Sequence, residues 1–437
     1  MIGKLFRRNN RPEKNLSKIS VGRFSDNNKS LLQLKLWDNA EKYFKEGKYT
    51  ESLKNFFYYL KDEVIDNVIF DINVNEFKFE IFQGSKIVRG IGNSKNLHAT
   101  VTIAKMNETS VPVMRRLLEN NFKLFYSRYA LDNEFLIMKF DSEVETANPN
   151  KLYYALKELA VAANKESYSL TKDFPLIERV DSEHVVPVPL EEQIIKVSFM
   201  RKWIDEAFQM IEKLDPSKNL NGISIILLNL INILDYFLSL HGNLAIELNR
   251  IQEINIRKDL PSQMQKNRLM REAIEEVSKM SDDEIFKSLT REISTFSVRQ
   301  PKTMSIVEQN IRDANKRMDW YKSNGYYDVS NVIAIYGFAV SNYLYSIPKP
   351  LVELFDIFME INYSDFYFAF YKQYNFYDPN RMHFFIHRIE KAIIYVERKW
   401  KPKYSNMHFE LEKLDYNNLL SFNLSFTQII SSLNLDI

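Results

Sequence analysis

Within residues 111–140 the apolar period changes from helical to strand-like with almost no loop between, and few folds accommodate that switch. Ser110 and Pro112 predict a helix start: Ser110 can accept from a first-turn amide, and Pro112 sits where its missing N–H costs little. The helix is expected to stop at Asn120-Asn121. Leu124, Tyr126 and Arg128 then alternate with Phe125, Ser127 and Tyr129, as in a half-buried strand. Leu131-Asp132-Asn133-Glu134 reads as a hairpin turn, because Asp and Asn tolerate left-handed backbone angles, and residues 135–140 return as the partner strand.

Upstream, Phe77, Phe79 and Ile81 alternate with Lys78 and Glu80, and Gly84 predicts a turn before residues 86–89. Gly90, Gly92 and Asn93 predict another turn, followed by a strand carrying Ala99, Val101 and Ile103. Downstream, Asn148-Pro149 opens a helix with Leu152, Ala155, Leu156, Leu159 and Ala163 on one face. Residues 30–63 predict two helices around Gly47, resembling a single tetratricopeptide-type hairpin and read as a cover for the sheet. The expected order is helix, three strands, helix, two strands, helix.

That order, taken with the run Phe79-Glu-Ile-Phe-Gln-Gly-Ser-Lys-Ile-Val-Arg-Gly90 and residues 112–118, 126–131 and 151–160, resembles the Tir-chaperone-like family, the class I type III secretion chaperone fold. The resemblance covers residues 76–174. It implies a compact α+β unit that dimerises and holds an extended segment of another protein. It also implies a dimer contact on the middle helix and the strand after it, here Met114, Arg115, Leu118, Leu124 and Tyr126.

The fold class expected is therefore α+β: an N-terminal helix-β3-helix-β2-helix domain with an antiparallel sheet, followed by an all-α irregular helical bundle. Residues 1–30 read as a basic disordered arm, rich in cations such as Arg7, Arg8 and Arg11 against the single acid Glu13 among the first 23 residues. Residues 31–174 form the α+β domain with its leading hairpin. Residues 175–192, with Pro175, Pro187 and Pro189, read as a linker, and 193–437 as the helical domain. In that domain residues 257–281, 282–296, 305–322, 329–345, 350–362 and 379–400 are predicted helices. Residues 223–240 are apolar except for a stripe of Asn229, Asn232 and Asp235. Because such a stripe is costly in lipid, the segment reads as the bundle's central helix, paired through the stripe with its neighbours, and no transmembrane span is expected.

The 437-residue chain has a net charge of +2 and no cysteine, which disfavours nucleic acid as a partner and excludes thiolate chemistry and disulfides. With no signal-peptide core either, a cytoplasmic location is expected. His383 and His387 lie four apart on a predicted helix, but Phe384 stands where the zincin pattern needs Glu, so no metal is expected. The glycines of residues 84–95 lack the helix that a phosphate loop requires and read as turns. No catalytic residue and no cofactor is assigned. The aromatic run of residues 363–377 reads either as a docking surface through Phe366, Tyr367, Phe370, Tyr371 and Tyr374, or as a helix buried on both sides.

The function expected is a non-enzymatic interaction protein or chaperone-like adaptor that binds an extended segment of another protein and self-associates. One alternative is a ligand-sensing protein or enzyme with a pocket in the helical domain, near Asn229, Asn232, Asp235 and the histidines. Another is a peripheral membrane or nucleic-acid protein acting through Arg7, Arg8 and Arg11.

Overall fold

The computed structural model describes residues 19, 21–24, 26, 29–62, 65–73 and 76–436, and Arg7, Arg8 and Arg11 lie outside the described residues. Ser30 opens α1 (Leu31–Lys45) with a capping box, its hydroxyl accepting from Gln33 N–H while the Gln33 side chain accepts from Ser30 N–H. Gly47 turns the chain into α2 (Tyr49–Leu60), and Ser52 ties the pair by donating to Ala40 O at 2.7 Å. Phe57 of α2 lies against Phe70 and Phe79 of the sheet, so the hairpin does cover it.

The sheet is antiparallel and larger than the sequence suggests. It comprises β1 (Val68–Ile72), β2 (Glu76–Gln83), β3 (Lys86–Asn93), β4 (Asn96–Met106), β5 (Arg128–Asp132), β6 (Phe135–Glu143) and the short β7 (Ile177–Glu178). Strand order is β1-β2-β3-β4-β6-β5, with β7 beside the end of β4. Between β4 and β5 stands α3 (Val111–Asn121), and α4 (Pro149–Asp173) follows β6, capped by Asn148 with Pro149 in its first turn. Leu152, Ala155, Leu156, Leu159 and Ala163 of α4 are buried, as their spacing predicts, and α4 packs across β2, β3, β4 and β6.

Gly90 and Gly92 are not turn residues. They lie inside β3, opposite Phe79 and Phe77 of β2, whose rings fold over them so closely that a Cβ would come within about 2.0 Å of a ring carbon. The aromatic ring covers the strip of sheet that the glycine leaves bare.

The second half is an irregular helical bundle. It contains α5 (Leu190–Glu212), α6 (Leu220–Leu238), α7 (Gly242–Ile254), α8 (Gln263–Ser278), α9 (Asp282–Phe286), α10 (Met304–Ser323), α11 (Tyr327–Leu344), α12 (Lys349–Asn362), α13 (Ser364–Tyr371), α14 (Ile386–Trp400) and α15 (Leu419–Ser431). Among the described residues α6 alone is long and apolar enough to cross a membrane, and every side chain from Gly222 to Leu238 is buried inside the protein. The helix expected over 282–296 stops at Phe286, because residues 290–297 leave the bundle as an extended strap across the first half.

That strap joins the two hydrophobic cores. Thr290–Arg291 pairs with Val186–Pro187, inside the stretch expected as a linker, and Gly84 N–H donates to Ile293 O at 2.8 Å. Thr295 and Phe296 donate their N–H groups to Gln83 Oε1 at 3.2 and 2.9 Å, and the Thr295 hydroxyl donates to Phe82 O at 2.8 Å. The Phe296 ring is buried in the sheet's core, edge-on to Tyr153. Beside the strap, Glu292 accepts from the Tyr168 hydroxyl and lies 3.0 Å from His241 Nδ1. Hydrogen bonds thus fix the halves to each other over several separate segments.

Lys86 is fully buried and donates to Val180 O at 2.7 Å. Burial pushes its pKa down from 10.5 to about 8, against the pull of Asp181. The unfolded chain keeps this proton up to its ordinary value while the folded one gives it up above about 8, so stability should rise between pH 8 and 10.5. Lys86→Met is expected to stabilise by about 1–3 kcal/mol at pH 7, less the lost hydrogen bond, with the gain vanishing near pH 10.5. Urea titrations at the two pH values measure this. An equal effect at both would refute it.

Candidate protein-interaction surface

Helix α3 buries Val113 and Leu117 and turns Val111, Arg115 and Leu118 outward. Phe122 at its C-terminus continues the outward stripe, the four positions recurring at helical spacing. Ser110 does not cap the helix as expected: its side chain makes no cap hydrogen bond, and Pro112 in the first turn removes one of the amides in need of a partner.

The strand expected from Leu124 begins only at Arg128. Before it, the Glu158 carboxylate on α4 accepts from the N–H groups of Phe125 (2.8 Å), Tyr126 (3.0 Å) and Ser127 (2.8 Å), and from the Ser127 hydroxyl (2.7 Å). These amides are held by one carboxylate instead of a ladder, so the loop bends outward and carries its aromatics with it. Phe122 and Phe125 are 93% and 90% exposed. Asn121 Oδ1 accepts from Tyr129 N–H at 2.8 Å and ties the end of α3 to β5. The hairpin itself turns at Asn133, in the left-handed region as expected.

Of the residues expected at a dimer contact, Arg115, Leu118 and Tyr126 are exposed, while Met114 and Leu124 are partly buried against the sheet's core. Sequence reasoning missed Val111, Phe122 and Phe125. The signal was present: Phe122 and Phe125 follow the helix-ending Asn120-Asn121 with Lys123-Leu124 between them, and have no inward face to occupy once a strand is absent.

No family model, curated protein or solved structure matches the chain.

Elsewhere on the sheet's open face, Asp141 accepts from Arg128 Nη2 at 2.6 Å and lies 2.7 Å from His98 Nδ1. The hydrogen bond with His98 holds the Asp141 carboxyl below its ordinary range. This exposed cluster sets the one Asp141 carboxylate against Arg128, His98 and, at 3.9 Å, Lys139.

The aromatic docking surface is corrected by the structure. Phe366 and Tyr367 are buried, with Phe366 packed against Phe199, Trp203 and Phe237, so they are core. Phe370 packs on that core, Tyr374 is half-buried, and Tyr371 is the one member of the set that is exposed. The histidines do not share a helix. His383 belongs to a two-residue hairpin strand pairing Tyr377–Asp378, His387 to the first turn of α14, and both are exposed. Among the described residues no group of three or more metal-ligating side chains converges.

The polar stripe of α6 is paired with its surroundings only in part, the Asn229 side chain sharing a hydrogen bond with Tyr363. Asn229 Oδ1 and both polar atoms of Asn232 are buried with no hydrogen-bond partner among the described residues. Asp235 is met by Arg23, from the stretch expected as a disordered arm, and Gly22 N–H donates to Tyr236 O at 2.7 Å. Within the described part of that arm, residues 21–24 are docked on the bundle.

Proposed function

We propose that the chain is a non-enzymatic protein-interaction module that self-associates through α3 and the loop leading to β5. The observation that carries this reading is the pair Phe122 and Phe125, both almost wholly in water beside Leu118 and Val111. Contiguous exposed apolar surface of this kind marks association sites, and burying the two rings is worth about 3–6 kcal/mol.

The stripe suits a second copy of itself. About a two-fold axis crossing α3 near its middle, Val111 faces Phe122 of the other copy. The same register places Arg115 opposite Leu118 of the other copy, while Arg115 keeps its 2.9 Å pair with Glu119 within one chain. The element order is the one expected from the sequence pattern, with β1 and β7 added. In this reading an extended segment of another protein lies along β1, the far edge of the sheet, where no described strand covers the outer side.

Light scattering on the full chain after size exclusion tests self-association. A dimer is expected for the wild type, and a monomer with unchanged Tm for Phe122→Ser/Phe125→Ser, because exposed positions contribute little to folding. A monomeric wild type at tens of micromolar, or a variant that stays dimeric, sinks the proposal.

A further inference from the structure

We infer that the helical half holds a small oxyanion site where Arg23 and Arg299 converge. Their guanidinium carbons lie 5.1 and 4.8 Å from the centre of one ring, that of Tyr343. Arg23 Nε donates to Asp235 Oδ1 at 2.8 Å, and Arg23 Nη2 donates to the same oxygen. Arg299 Nη2 donates to Asn249 Oδ1 at 3.0 Å, an atom that also accepts from the Tyr343 hydroxyl at 2.9 Å. Asn249 is neutral and already doubly used. Arg299 Nε is buried and has no acceptor among the described residues.

Asp235 is the carboxylate that acts on both guanidiniums, so the cluster sets two positive charges against one negative. Burial, and then Arg23, push the Arg299 pKa down, the direction expected of a cation short of counter-charge. A crevice opens beside the pair. Ser297, Asn342, Tyr345 and Ser346 line it together with the two arginines, and the Lys302 ammonium stands 5.7 Å from the Tyr345 ring centre.

Guanidinium forks beside hydroxyl and amide groups, in partly dry surroundings, are the chemistry that recognises a phosphoryl or carboxylate group. The missing negative charge is supplied by such a group, held at the mouth of the crevice by the two guanidiniums that line it. The crevice is small, so the group sits across its mouth and is not enclosed by it. Its walls come from the N-terminal segment, the end of the strap and the α11–α12 junction, so an occupant ties Arg23 more firmly to the bundle. The site does not depend on the α3 surface.

The test is a thermal-shift titration of the full chain with inorganic phosphate, AMP and acetate, each at ionic strength matched with sodium chloride. A saturable rise in Tm of about 3 °C or more is expected with at least one of them. A response to phosphate alone assigns the free ion, a response to AMP as well assigns a phosphomonoester, and a response to acetate alone assigns a carboxylate. Arg299→Gln should abolish the rise and Arg299→Lys should keep part of it. Should Arg299→Gln fail to fold by circular dichroism, Asn342→Leu at the crevice takes its place, with the same loss expected. No rise with any of the three, or an equal rise in the variant, overturns the site.

Discussion

Asp235→Ala is expected to destabilise the protein by about 3–5 kcal/mol, the usual cost of leaving a buried cation without its partner. Asp235 sits in α6 among side chains buried along the whole helix, and its carboxylate faces Arg23 directly with Arg299 nearby. Truncation leaves two guanidiniums sharing the Tyr343 ring with no negative charge between them. Removing a cation should recover much of the loss, so Asp235→Ala/Arg23→Met is expected to be more stable than Asp235→Ala alone. Urea unfolding of the two single variants and the double closes the cycle. A single-variant loss under 1 kcal/mol would show that the pair is not what holds residues 21–24 on the bundle.

Phe296→Ala is expected to cost a further class of stability, about 3–5 kcal/mol, by opening a cavity in the core of the first half. The ring is buried against Tyr153 and belongs to the sheet's core although the helices before and after the strap belong to the bundle. Its loss should also loosen the strap, whose amides depend on Gln83. Calorimetry is the discriminating measurement. A wild type melting as one transition and a variant melting as two is expected, since coupled units separate when their junction weakens. A single transition merely shifted downward would mean that the other bonds suffice to couple the halves.

The parts of the fold legible in the sequence are those decided locally. Helix α3 ends at Asn121, α4 buries the face its spacing marks, and the β5–β6 hairpin turns at Asn133. What escaped depended on distant partners. Strand β1 carries Ile69 and Phe70 side by side, so it shows no clean alternation, and β7 is two residues held only by β4. Gly90 and Gly92 look like turn residues until Phe79 and Phe77 are laid over them. Phe366 could be placed inside only by Trp203 and Phe237, which are remote in sequence.

The candidate surface was half legible for the same reason. The spacing of α3 puts Leu118 and Arg115 on one outward face, but the bend that exposes Phe125 is made by Glu158 from another helix. Arg23 was legible only as one more cation in a basic stretch. Its counter-charge stands far along the chain, and no local pattern links the two.

The strap also constrains the order of events during synthesis. The sheet of the first half emerges from the ribosome without Phe296, and at about 5–20 residues per second the wait for that ring is on the order of ten seconds. Through this interval Gln83 and Asn67 lack the Thr295 and Phe296 groups that later satisfy them. The nascent first half is thus an unfinished body for its first seconds, and its completion reports that synthesis has passed residue 296.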